Sequence, residues 1–245
     1  MEEQVSKKQK TSDTGCEPFD ETVPIVQLSD RSFADIILWF NGYAFAAHIA
    51  ILSEYSNMLS DVFKSTTQDC MTSYDGRQVP VLSLRNFDPP QDVATALLHA
   101  MYSRCEFVDA LPGRYIGPAI LFSNAIACTE AINRKLRSVY HAHIDKIIGR
   151  FKGMSGPYEK LDDRPRFIRC MWSDATLVLN DVCDTTIVSY IDKSQLKLLI
   201  KYMRMFFEKT RLSALVNDIG IMDQAIADSF NLRAALMYTS IYYVY

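Results

Sequence analysis

The chain has 245 residues, of which 49% are hydrophobic and 22% are charged. This is the composition of a globular protein with room for one large domain or two small ones. The formal net charge of −3 at pH 7 leaves no excess of positive charge to neutralise phosphates. Nucleic acid is therefore not expected as a direct partner.

The first 22 residues are polar and mixed in charge. They lack the apolar stretch of a signal peptide, and no later run reaches the ~18 apolar residues of a membrane span. The six cysteines are scattered without a Cys-x-x-Cys pair, which indicates reduced thiols in an intracellular protein. We therefore expect residues 1–22 to form a disordered tail, no membrane partner, and a cytoplasmic or nuclear location.

The first predicted elements are a buried strand and a hairpin. Residues 33–40 are nearly all apolar, Asn41-Gly42 supplies a turn, and residues 43–45 start a second short strand. From Glu54 onwards apolar residues recur at helical spacing, which predicts a helix with one buried face.

The middle of the chain combines a loop, a strand and a run of helices. Residues 64–78 are polar and predict a loop, and residues 79–84 have a strand pattern in which Pro80 suits an edge or a strand start. Asp88 is placed to cap a helix whose first turn contains Pro89. The buried stripe of that helix comprises Val93, Ala96, Leu97, Ala100 and Met101.

Two further helical stretches are predicted around residues 115–122 and from about 129 to 151. Residues 151–165 then contain glycine and proline, which interrupt the helical pattern and predict a linker.

Several motifs agree in order and spacing with one known family. Residues 32–38 contain an aromatic-x-Asp strand, residues 45–52 contain an aromatic residue, an Ala-His pair and a leucine before a helix, and residues 97–103 end in a Tyr-Ser step. Together they resemble the BTB/POZ family over about residues 30–145. The resemblance implies an α+β fold, a small sheet flanked by a helical cluster, at about residues 25–150.

The residues that carry these motifs belong to the scaffold in the family. They are Asp35, His48 and Tyr102, and no chemistry is transferred with them. A buried Asp35 should accept hydrogen bonds or pair with a cation, and His48 is interpreted as a structural histidine.

The resemblance also implies a function, that of a protein–protein interaction module. Such a module self-associates or acts as an adaptor that recruits a partner, and a cullin-type ubiquitin ligase is a candidate partner. The cullin-facing surface of the family suggests four protein-binding residues here, which are Met58, Val62, Phe63 and Asp69. The alternative is a structural subunit of a larger assembly with no adaptor role.

Three departures from the family pattern bear on partner choice. Only residues 23–28 intervene between the polar tail and the first core strand, where members that form swapped homodimers have a helix. Ile49 follows the Ala-His pair where many members have a lysine or an arginine. Thr67-Gln68-Asp69 has a polar first residue, where cullin-binding members often have a hydrophobic one.

The C-terminal third admits two interpretations. Residues 171–180 echo residues 32–41, including an aromatic-x-Asp step that ends at Asp174. This echo predicts a truncated second BTB-like unit at residues 166–245, which would pack against the first as an intramolecular pseudo-dimer. The alternative is a mostly helical extension of the BACK type.

No pattern in the sequence indicates an enzyme. The glycine-rich phosphate loops, the zinc-protease motif and the nucleophile-elbow motif are all missing. His141 and His143 are two residues apart on a predicted helix, so they point to different faces and cannot chelate one ion. We expect no catalytic residue, no cofactor and no metal.

Overall fold

A computed structural model of the chain describes residues 19–28, 33–65, 70–153 and 184–210, together with residues 174, 175, 177, 178, 180 and 181. These residues fall into two compact units. The first unit contains residues up to 49 and residues 65–88, and the second contains residues 50–64 and those from 89 onwards. Strands lie in the first unit and helices dominate the second, so the predicted α+β class is confirmed.

The first unit is built on a five-stranded sheet with the order β1-β3-β2-β5-β4. β3 pairs parallel with β1 and antiparallel with β2, while β5 pairs parallel with β2 and antiparallel with β4. The predicted hairpin is confirmed, and Gly42 takes the left-handed conformation that its turn requires (φ 81°). The strands are β1 (Ile25–Gln27), β2 (Ile36–Trp39), β3 (Ala44–Ala47), β4 (Met71–Tyr74) and β5 (Arg77–Ser83).

The prediction of a loop at residues 64–78 is wrong, because most of this segment lies in the hairpin of β4 and β5. Asp75 and Gly76 form the turn with φ of 51° and 71°. Two left-handed residues in succession are what a two-residue hairpin requires, and Asp-Gly is a preferred pair for it. The polar composition of the strands concealed this signal.

Pro80 does not lie in an edge strand, since β5 pairs with β2 on one side and with β4 on the other. The pairing with β2 begins at Val81, however, one residue after the proline. On the other side, Pro80 lies opposite Met71, and the neighbouring Val81 N–H donates to the Cys70 carbonyl (2.9 Å). Hydrogen-bonded and non-hydrogen-bonded residue pairs alternate in an antiparallel ladder, and Pro80 belongs to a non-hydrogen-bonded pair. The sheet therefore loses no hydrogen bond at the proline, which has no N–H.

The predicted helices are present with shifted boundaries. The single helix predicted from Glu54 is divided at Ser56, and Pro90 precedes the helix that Asp88 was expected to cap. Asp88 instead has φ 38° and accepts a hydrogen bond from the Asn41 side-chain amide (2.8 Å). The helices are α1 (Ile49–Tyr55), α2 (Asn57–Ser65), α3 (Gln91–Met101), α4 (Glu106–Asp109), α5 (Gly113–Ala125), α6 (Glu130–Gly153), α7 (Thr185–Val188) and α8 (Lys193–Thr210).

Three smaller expectations also need correction. Residues 19–22 are an ordered turn, and Phe19 packs on the sheet, so the disordered tail does not extend to residue 22. Residues 151–153 belong to α6, so the linker cannot begin at 151. Cys70 is disulfide-bonded, contrary to the expectation of reduced thiols, whereas Cys105 and Cys128 are free.

The described residues after 173 are largely helical. Those between 174 and 181 have helical conformation, and α7 and α8 follow. The Asp174 segment therefore does not form the strand that its likeness to residues 32–41 predicted. The remainder of the echo lies outside the described residues.

This C-terminal segment packs on α5 and α6 through apolar and polar contacts. Arg150 and Asp174 form an ion pair (2.6 Å), and the Tyr140 hydroxyl donates to the Asp181 carboxylate (2.8 Å). A β-carbon added to Gly117 would lie 2.5 Å from the Asp181 carboxylate oxygen, so only glycine allows this approach. Buried apolar residues of the segment include Ala175, Val178, Ile187, Tyr190, Ile191, Leu196 and Leu199.

Among the described residues, no helix is long and apolar enough to cross a membrane.

The environment of Asp181 predicts a pH-dependent stability. Burial raises the pKa of Asp181, the Tyr140 hydrogen bond partly opposes this, and the nearby Asp184 carboxylate adds a smaller increase, so the pKa lies at about 6. A raised folded-state pKa means that the stabilising contribution is complete below the ordinary value near 3.8 and is lost as pH rises through about 6.

We therefore expect Asp181→Asn, which removes the charge and keeps the acceptor, to stabilise the protein by about 1–2 kcal/mol at pH 7.5 and by much less at pH 4.5. Urea denaturation at both pH values measures the difference. Asp192→Asn is the control, because Asp192 is exposed and its pKa is lowered by hydrogen bonds from Ser194. Equal destabilisation by Asp181→Asn at both pH values would contradict the prediction.

Candidate protein-binding surface

Helix α2 carries three of the four predicted binding residues. Met58, Val62 and Phe63 are partly exposed, whereas Leu59, between them on the apolar side of the helix, is fully buried. Steps of three or four residues connect these four positions and place them on one side of α2. We call Met58, Val62 and Phe63 the α2 surface. The fourth predicted residue, Asp69, lies outside the described residues.

The opposite side of α2 is polar and solvated. Asp61 and Lys64 approach to 4.0 Å, with side chains 82% and 74% exposed. An ion pair this exposed contributes little to stability. Asn57 is exposed as well, so the helix presents a clear division between a charged side and an apolar side.

A buried hydroxyl group holds the start of α2 in place. Ser56 is fully buried between α1 and α2, and its side-chain oxygen donates to the Ile126 carbonyl (2.5 Å) and accepts from the Leu59 N–H (3.1 Å). The second bond is that of a helix N-cap. One side chain therefore caps α2 and also attaches it to the turn between α5 and α6.

Backbone hydrogen bonds strengthen this attachment. The Asn57 N–H donates to the Ala127 carbonyl (3.1 Å), and the Thr129 N–H donates to the Tyr55 carbonyl (2.9 Å). Ser56 and Cys128 form an isolated antiparallel bridge. The break between α1 and α2 and the turn between α5 and α6 thus satisfy each other's backbone groups.

The turn itself is braced by polar side chains. The Ser123 hydroxyl donates to the Asn133 amide oxygen (2.6 Å), and the amide nitrogen of Asn133 donates to the Cys128 carbonyl (3.1 Å). Burial raises the pKa of the Cys128 thiol to about 11, so it stays protonated at neutral pH. Cys128 is therefore a packing residue and not a nucleophile.

Asp35 acts through its backbone neighbours rather than in a charged cluster. It is exposed just before β2, and its carboxylate accepts from the Ile49 N–H at the start of α1 (2.7 Å). Its own N–H donates to the Ala47 carbonyl at the end of β3 (3.0 Å). The residue thus joins the ends of three elements, which is a scaffold role.

The other two motif residues also lie at element ends. His48 is partly exposed between β3 and α1. Tyr102 follows α3, and its N–H donates to the His99 carbonyl (2.9 Å). His99 is buried and stacks on Phe107 with ring centroids 4.1 Å apart, and burial lowers its pKa, so it is neutral at pH 7.

Within the part of the chain that the structure describes, no group of three or more His, Cys, Asp or Glu side chains lies close enough to hold a metal ion. The α2 surface and its supports contain no convergent set of titratable groups either. Its partly exposed groups are apolar side chains, which can contribute to binding through burial of apolar area.

The sequence predicted the residues of the α2 surface as a binding site, which stays a prediction, but it did not predict the contacts that support α2. The signal for Ser56 was local, because a serine three residues before a buried leucine matches a helix N-cap. The partners at Ile126 and Cys128 lie about seventy residues away and gave no local signal.

Residues 26–110 match the family model of the BTB/POZ domain. The matched part runs from the second residue of β1 to the end of α4 and includes the α2 surface. BTB/POZ domains are protein–protein interaction modules that also mediate dimerisation, and the family is generally non-enzymatic. No curated protein and no solved structure matches the chain.

The role of Ser56 can be tested by removing its hydroxyl. We expect Ser56→Ala to destabilise the protein by about 2 kcal/mol, because it leaves a buried carbonyl unsatisfied and removes a helix cap. Urea denaturation followed by circular dichroism measures this. Ser60→Ala, on the same helix and only partly buried, is the control and should cost well under 1 kcal/mol. Equal effects of the two substitutions would contradict the anchoring role.

Proposed function

We propose that this protein is an adaptor or scaffold that binds another protein through its BTB/POZ domain, and that the α2 surface is the binding site. The single observation that supports the site is a partly exposed apolar helix side that a buried serine holds in position. A preorganised surface loses less conformational entropy on binding. This favours recognition by a rigid partner.

The candidate partner is the N-terminal region of a cullin scaffold of a ubiquitin ligase. Support comes from the position of Met58, Val62 and Phe63 on one side of α2, in the region that faces cullins in the family that the sequence resembles. The mechanism involves no bond chemistry. A stable complex of this kind buries on the order of 800 Å² per partner, centred on a few apolar anchors.

The domain organisation that accompanies this function is also a proposal. We infer a BTB/POZ domain at about residues 25–150, a linker that starts after residue 153, and a C-terminal region at 166–245. The helical conformation of the described residues between 174 and 210 supports a BACK-like extension over a repeated BTB-like unit. The intramolecular pseudo-dimer required a second BTB-like unit, so the helical conformation argues against it as well. A cytoplasmic or nuclear location remains a prediction.

The function is tested by pull-down of a cullin N-terminal region with the full chain. We expect Met58→Glu combined with Val62→Glu to reduce binding at least tenfold, because two charges would be buried at the centre of the contact. The matched control is Asn57→Glu combined with Lys64→Glu, which adds negative charge to the polar side of the same helix and should change binding little.

Two outcomes would contradict the adaptor proposal. If the wild-type chain does not bind the cullin region, that partner is wrong. If it also self-associates in light scattering at several concentrations and the α2 substitutions abolish this, the surface joins copies of the chain, as expected of a structural subunit.

A further inference from the structure

One face of the sheet is covered by the segment that precedes β1. The face consists of buried side chains from the three strands β2, β3 and β5, and we call it the Trp39 face. Phe19 and Val23, which are only partly buried, pack against it. The Trp39 face comprises Ile37, Trp39, Ala44, Ala46 and Val79.

The main contact of this covering segment is aromatic. The Phe19 ring meets the Trp39 ring edge to face, with centroids 5.4 Å apart and planes at 81°. This is a preferred geometry for two aromatic rings. The Arg85 guanidinium lies 4.8 Å from the centroid of the same tryptophan ring. Trp39 is left only 6% exposed.

A polar turn gives the segment its shape. Asp20 accepts from the Thr22 N–H (3.0 Å) and from the Thr22 hydroxyl (2.7 Å), and the Val23 N–H donates to the Asp20 carbonyl (3.0 Å). Asp20, Glu21 and Thr22 are exposed. The turn therefore directs two apolar side chains, four residues apart, onto the sheet and keeps the polar ones in water.

Among the residues that the structure describes, the hydrogen bonds of residues 19–23 stay within this turn. Backbone bonding to the sheet begins only at Pro24, whose carbonyl accepts from the Ala44 N–H (3.1 Å). The segment is therefore held on the Trp39 face by two side chains. A contact of that kind can be replaced by another segment with the same side chains.

We propose that the Trp39 face is a second protein-binding site, which accepts a partner segment with an aromatic residue followed four residues later by a branched aliphatic one. Residues 19–23 are the chain's own occupant of this site and compete with the partner. The proposal concerns a different surface from α2 and does not depend on the proposed adaptor function.

The two tryptophans of the chain are Trp39 and Trp172, so Trp172→Phe makes Trp39 the single fluorescent reporter. The probe is a synthetic peptide with the sequence of residues 17–25, and the control peptide has Ala for Phe19 and Ser for Val23. The protein is the full chain with Trp172→Phe, either alone or combined with Phe19→Ala.

Removal of the partly buried Phe19 side chain from the chain's own segment should raise affinity for the probe peptide by tenfold or more. We expect Phe19→Ala to increase acrylamide quenching of Trp39 and the peptide to reverse that increase, whereas the control peptide should not. No peptide binding to the Phe19→Ala protein, or equal binding with and without Phe19, would overturn the proposal.

A second variant guards against a Phe19→Ala protein that fails to fold. Asp20→Ala combined with Thr22→Ala removes the two hydrogen bonds of the Asp20 side chain, and it retains the backbone bond of the turn and both apolar contacts. It should increase quenching of Trp39 and strengthen peptide binding by a smaller factor, and unchanged quenching would overturn the proposal. Concentration-dependent dimers of the opened protein that exclude the peptide would assign the face to a second copy and overturn the proposal also.

Discussion

The hydroxyl of Ser56 links two chain reversals of the helical unit, one between α1 and α2 and the other between α5 and α6. It is fully buried, it caps α2, and it bonds to the turn that joins α5 to α6. Without the Ser56 hydroxyl, the Ile126 carbonyl would lose its hydrogen bond in the interior, which is costly. The two chain reversals therefore stabilise each other. The orientation of α2, and with it the exposure of Met58, Val62 and Phe63, follows from this one constraint.

Much of the fold could be predicted from local patterns. The hairpin at Asn41-Gly42, the amphipathic character of α2 and the long helix α6 all follow from short-range periodicity and turn chemistry. The errors have physical reasons too. β4 is short, with exposed Met71 and Ser73 alternating with partly or fully buried positions, so its hydrophobic signal is weak. Asp88 lies where the sequence predicts a helix N-cap, yet its carboxylate accepts a hydrogen bond from the Asn41 side-chain amide.

The candidate site was predictable only in part. The α2 surface depends on helical spacing within nine residues, which the sequence displays directly. The support of that surface and the covering of Trp39 depend on contacts between distant residues, such as Ser56 with Ile126 and Phe19 with Trp39. A lone phenylalanine in a polar segment carries no periodicity, and only the folded sheet reveals what it covers.

The glycines of α5 have a consequence for how the chain can vary. A β-carbon on Gly113 would clash with the His143 ring, and one on Gly117 would meet the Asp181 carboxylate. A larger residue at either position requires a compensating change on α6 or in the C-terminal segment. Related sequences should therefore show correlated substitution between positions 113 and 143 and between 117 and 181, so that helix α5 and the C-terminal segment evolve as one unit.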